Sequence, residues 1–136
     1  NVEIFFSELD ALVNVDLKTR EPKSRRKKLK VIRIGTSGAL QEDVPVGSHL
    51  VSDYAVGLDN LMNFYDLPMD DFETGLAHDI QKKTGLPFMP YVVQGSETLR
   101  EQIGGSDMIK GNTVTCPGFY APQGRVLRIP IRYPNL

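Results

Sequence analysis

Leu29-Lys30-Val31-Ile32-Arg33-Ile34-Gly35-Thr36-Ser37-Gly38 is the stretch on which the reading of the fold turns. Leu29, Val31, Ile32 and Ile34 form a short, branched, almost continuous apolar run, which predicts a buried strand over 29–34. The small residues that follow predict a tight turn. Upstream, Val2, Phe5, Phe6, Leu9, Leu12 and Val13 recur at helical spacing and predict a helix over 2–13. Downstream, strands are expected over 49–56, 90–94 and 111–116. Helices are expected over 71–84 and 97–103. The first of these has Asp70 or Asp71 as cap, Phe72, Leu76, Ala77 and Ile80 on one face, and Gly85 as its stop. Residues 53–71 read as a loop with a helical turn or two, and 118–124 as turns. Pro130 confines 126–133 to an edge strand or an extended tail. Helices alternating with apolar strands point to an α/β domain, a three-layer αβα sandwich around a mixed, partly parallel sheet.

Composition bounds the function. The 136 residues suit one domain, 1–136. Sixteen Lys and Arg against seventeen Asp and Glu leave a net charge of −1, which argues against a general nucleic-acid binder. No apolar run is long enough to span a membrane, and no secretory leader pattern is present. The single cysteine, Cys116, cannot pair within the chain, so a reducing cytoplasm is expected. Asn1 is not an initiator residue, which suggests a piece of something longer. Residues 18–30 hold eight cations and one acid, Glu21. They read as a solvated connection, because the segment has no aromatic residue for base stacking; the alternative is a non-catalytic RNA- or nucleotide-binding fragment.

Two constellations could carry chemistry. In the first, Arg33 brings a permanently charged fork, Thr36 and Ser37 bring hydroxyls, and Gly35 and Gly38 let a ligand approach the backbone, all at an expected strand end. Those groups suit phosphate oxygens, although the same residues also make a plain tight turn. The Walker-type phosphate loop is absent. In the second, Phe119 offers a ring face, the Gln123 amide offers an acceptor and two donors, and Arg125 offers donors only. Uracil presents an N–H between two carbonyls, which that set matches. Cytosine would turn an amino group toward the arginine. The bland reading is an exposed turn.

Taken together and in order, Arg33–Gly38 with Ala39-Leu40-Gln41, Gly57-Leu58-Asp59-Asn60, Gly111-Asn112-Thr113, and the Phe119, Gln123, Arg125 set resemble the uridine-selective members of the nucleoside phosphorylase family. The resemblance covers nearly the whole chain. It implies a pentosyltransferase that cleaves uridine with phosphate to uracil and ribose 1-phosphate. Arg33 and Thr36 would hold phosphate, Thr36, Ser37 and Gly38 would lie at the nucleoside, Phe119 would stack on the base, and Gln123 and Arg125 would recognise it. Arg33 and Arg125 would be the catalytic pair. Another phosphorylase or a nucleosidase of the same superfamily is the alternative. No metal or organic cofactor is implied, inorganic phosphate being a co-substrate. The partners implied are the nucleoside and phosphate, with no nucleic acid and no membrane, in a homo-oligomer (dimer or hexamer). The family's N-terminal and C-terminal parts are not matched, so an incomplete fold is expected. Neither His49 nor His78 matches the family's site histidine.

Overall fold

The computed structural model describes residues 2–105 and 107–136. It divides the chain into two compact units, Asn1–Gly38 and Ala39–Leu136.

The first unit starts with α1, Val2–Asn14. It continues through a minimal hairpin of β1, Val15–Asp16, and β2, Glu21–Pro22, paired antiparallel. The Asp16 carboxylate closes the turn by accepting from the Lys18 and Thr19 N–H groups, which holds its pKa below the usual carboxylate range. Arg20 takes a left-handed φ of 61° and donates its N–H to the Asp16 carbonyl at 2.7 Å. Asn14 is buried, and it fixes the next stretch from both sides. Its Nδ2 donates to the Lys27 carbonyl at 3.1 Å, and its Oδ1 accepts from the Lys27 N–H at 2.7 Å.

The expected strand over 29–34 does not form. Residues 29–34 have no regular structure and every one of them is exposed. An apolar β-branched run supplies propensity, but a strand exists only as one side of a ladder, and these residues have no ladder partner among the described residues. The candidate turn Gly35–Gly38 therefore does not end a strand.

The second unit follows the sequence reading closely. Strand β3, Leu50–Gly57, lies between β4, Tyr91–Gln94, and β5, Ile109–Thr115. The β3–β4 pair is antiparallel and the β3–β5 pair parallel, so the sheet is mixed. Helix α2, Asp71–Thr84, joins β3 to β4, and α3, Glu97–Ile103, joins β4 to β5. A short 3-10 turn, Leu61–Phe64, precedes α2.

A capping box sets the start of α2. Asp70 Oδ1 accepts from the Glu73 N–H at 2.8 Å, and Glu73 Oε2 accepts from the Asp70 N–H at 3.0 Å. Glu73 is buried, and its second oxygen accepts from the Gln94 N–H at 2.8 Å, tying the cap to the end of β4. Gly85, at φ 72°, closes the helix in the left-handed conformation. Val56, Leu58, Ala77, Leu86 and Val92 make the core, flanked by Leu76, Ile80, Phe88 and Met89. Phe72, expected on the buried face, is largely exposed, with its ring 5.2 Å from that of Tyr54. Val56 and Val92 are register partners turned into this core, while their neighbours Ala55 and Val93 point the other way and are exposed.

Register slips between Ser52 and Tyr54 on β3, leaving Asp53 as the extra residue of a bulge. Its carboxylate forms an ion pair with Arg100 of α3. The segment 126–133 forms no strand and bends at Arg128, Ile129 and Arg132, so the edge strand allowed there does not form.

Candidate functional site

The candidate residues fall into the two units. Arg33, Thr36, Ser37 and Gly38 belong to the first, and Phe119, Gln123 and Arg125 to the second.

In the first unit, all four are exposed. The Arg33 guanidinium folds back over the motif's own backbone, and a Cβ on Gly35 would lie 3.2 Å from both of its terminal nitrogens. Glycine at 35 thus leaves room for the guanidinium beside the peptide, which places the charged fork against the backbone of the small-residue turn.

The second unit brings its three residues into one turn beyond β5. A 3-10 turn, Ala121–Gln123, carries Pro122 in its first positions. The Tyr120 carbonyl accepts two hydrogen bonds, from the Gln123 N–H at 2.9 Å and the Arg125 N–H at 3.0 Å. The residues expected to recognise a base are therefore anchored through their main chains to one acceptor. Gly124, at φ 67°, permits the reversal between them, and the Leu136 carbonyl lies where its Cβ would stand. Phe119 is 75% exposed, which leaves its side chain open to a ligand. Gln123 is half-buried and Arg125 exposed. Arg125 also lines a cavity of about 370 Å³ with Tyr120, Leu127, Arg128, Ile129 and Ile131.

One cluster escaped the sequence reading. Tyr91 lays its ring across Gly57, where a Cβ would collide with the ring carbons. Its hydroxyl donates to Asp59 Oδ1 at 2.9 Å, and the same oxygen accepts from the Leu61 N–H at 3.1 Å. Burial, then the hydrogen bond and charge of Asp59, push the Tyr91 phenol up to about 12. Burial, helped by Asp59, also raises the Cys116 thiol, which agrees with its reading as an unreactive group. Asp59 stood in the quoted Gly57–Asn60 stretch. Tyr91 lies 32 residues away from it, so no local spacing links them. This cluster sits at the carboxyl ends of β3 and β5, the end from which the 119–125 turn departs.

His49 and His78 are both exposed, and His78 lies on α2. Among the described residues, no group of three or more His, Cys, Asp or Glu could hold a metal ion, and no helix is long and apolar enough to cross a membrane.

The model of the phosphorylase superfamily matches residues 26–135, most of the chain. The chain belongs to the phosphorylase superfamily. Its fold is similar to that of a Trypanosoma brucei nucleoside phosphorylase whose crystal structure is described as showing uridine phosphorylase activity. The TM-score is 0.77 at 22% identity, over 93% of this chain and 49% of that one. The chain thus spans about half the length of that phosphorylase and carries an incomplete version of its fold. No curated protein matches the chain.

Proposed function

We propose that this chain carries the base- and phosphate-recognition part of a uridine phosphorylase, a pentosyltransferase of nucleoside salvage. The observation that supports it most directly is the 119–125 turn, where an open phenyl face, an amide and a guanidinium stand on one short scaffold. Phe119 stacks on the pyrimidine, Gln123 pairs with one carbonyl and the N3–H, and Arg125 donates to O4. Arg33 and Thr36 hold phosphate, with Ser37 and Gly38 at the nucleoside.

The chemistry follows from those roles. The bond between uracil N1 and the ribose C1′ breaks, and its electron pair passes to the base. A phosphate oxygen then bonds to the cation-like C1′, giving ribose 1-phosphate. Negative charge grows on uracil as the bond breaks, so the Arg125 contact is stronger in the transition state than in the ground state and lowers the barrier. Inorganic phosphate is the co-substrate and no organic cofactor is used. A cytoplasmic homo-oligomer accords with this reading.

The test is ultraviolet-monitored cleavage of uridine with and without phosphate, with inosine as control. Phosphate-dependent loss of uridine alone supports the proposal. Loss without phosphate would make the protein a nucleosidase, and loss of inosine a purine-directed phosphorylase.

A further inference from the structure

The three strands of the second unit meet at Gly57. It pairs with Tyr91, the first residue of β4, on one side and with Thr115, the last of β5, on the other. The Tyr91 ring fills the space that a side chain at 57 would need. Past Gly57, Leu58 is buried in the core and donates its N–H to the Thr115 carbonyl at 2.9 Å. Asn60 then takes a left-handed φ of 65°. Asp59 Oδ1 bridges that bend. It accepts from the Leu61 N–H at 3.1 Å and from the Tyr91 hydroxyl at 2.9 Å. One carboxylate oxygen thus shapes the loop that leaves β3 and hooks it to the start of β4. Both side chains are half-buried, and an ionised acceptor makes such bonds stronger than neutral ones.

The 119–125 turn departs from the same end of the sheet. Cys116, next after Thr115, packs against the core, and its thiol feels the Asp59 charge. Gly118 comes up against Pro122, since a Cβ at 118 would lie 3.3 Å from Pro122 Cγ. Pro122 belongs to the 3-10 turn whose Tyr120 carbonyl holds the Gln123 and Arg125 N–H groups. An unbroken path of bonds and contacts therefore leads from the Tyr91 hydroxyl through Asp59, Leu58 and Thr115 to the turn.

We propose that Asp59 and Tyr91 are positioning residues for the 119–125 turn. Their hydrogen bond fixes the loop leaving β3, that loop fixes the end of β5 through Thr115, and the end of β5 sets where Gln123 and Arg125 stand. As a statement about recognition of a base, it rests on the reading of that turn proposed above. Asp59 serves as an acceptor for two neutral donors, so an amide oxygen at 59 can do the same work. A carboxylate needed for its charge at a ligand could not be replaced in that way.

The experiment is amide hydrogen exchange of the free chain by nuclear magnetic resonance, read at the Gln123 and Arg125 N–H groups, followed by calorimetric binding of uracil. Asp59→Ala is expected to speed exchange at both positions by about tenfold and to weaken uracil by a similar factor, while Asp59→Asn restores both toward wild type. Tyr91→Phe keeps the ring on Gly57 and loses only the hydroxyl, so it moves both readouts the same way by a smaller factor. Glu73→Ala loosens the α2 cap and is expected to leave exchange at 123 and 125 unchanged. Exchange indifferent to both Asp59→Ala and Tyr91→Phe overturns the proposal, whatever the base affinities. So does an equal response to Glu73→Ala, the mark of a general loss of stability, or an Asp59→Asn chain as impaired as Asp59→Ala. An exchange response as expected in a chain that binds no uracil supports the positioning role and overturns the base-site reading alone.

Discussion

The turn at Phe119–Arg125 and the run at Arg33–Gly38 carry comparable chemistry on opposite kinds of support. In the turn, one carbonyl of Tyr120 accepts from two N–H groups, those of Gln123 and Arg125, Pro122 fixes the entry and Gly124 the reversal. In the run, the side chains are exposed and the Arg33 guanidinium rests on its own backbone at Gly35. The turn is therefore held locally by the peptide, whereas the Arg33–Gly38 run owes little to regular structure.

Four changes break or sharpen that contrast. In an active background, Arg33→Ala is expected to cut phosphate-dependent turnover by about 10²- to 10³-fold, mainly through phosphate affinity. Unaltered phosphate saturation would remove Arg33 from that role. Arg125→Ala is expected to lower uridine turnover by roughly 10²-fold and to weaken uracil binding with it, the mark of a contact that strengthens in the transition state. A change in KM alone would make it a ground-state contact only.

The remaining two address the frame of the second unit. Glu73→Ala removes one half of the capping box and the acceptor for the Gln94 N–H, at a cost of about 1–3 kcal/mol, measured by denaturant unfolding. A stability equal to wild type would show that the cap is dispensable. Tyr91→Phe acts least at neutral pH. The phenol pKa is raised in the fold to about 12 from 10.0, so its contribution is complete below pH 10 and is lost as pH rises toward 12. The wild-type chain should therefore lose stability over that window, and the Tyr91→Phe chain should lack that loss.

Legibility in the sequence followed the locality of the cause. Helix α2 was readable to its ends because Asp70, Glu73 and Gly85 act within one turn of the residues they cap. Helix α3, started by Ser96, was equally plain. Strand β3 came out one residue later than expected at each end, and β5 began two residues earlier. The strand over 29–34 failed because its apolar pattern states a preference and says nothing of a ladder neighbour. The Asp53 bulge and the Tyr91–Asp59 bond were invisible for the same reason, since each is made by residues far apart in the chain. Residue type made Arg33–Gly38 and Phe119–Arg125 candidates beside a plain-turn reading, and the family resemblance gave them their roles. The fastening of Gln123 and Arg125 to Tyr120 came only with the backbone.

The most direct test of the central claim is equilibrium binding of free bases to the chain by calorimetry, since it asks nothing of turnover. The account predicts that uracil binds, that cytosine does not, and that Arg125→Ala abolishes the difference. Equal affinity for the two bases, or a preference that survives Arg125→Ala, would contradict it.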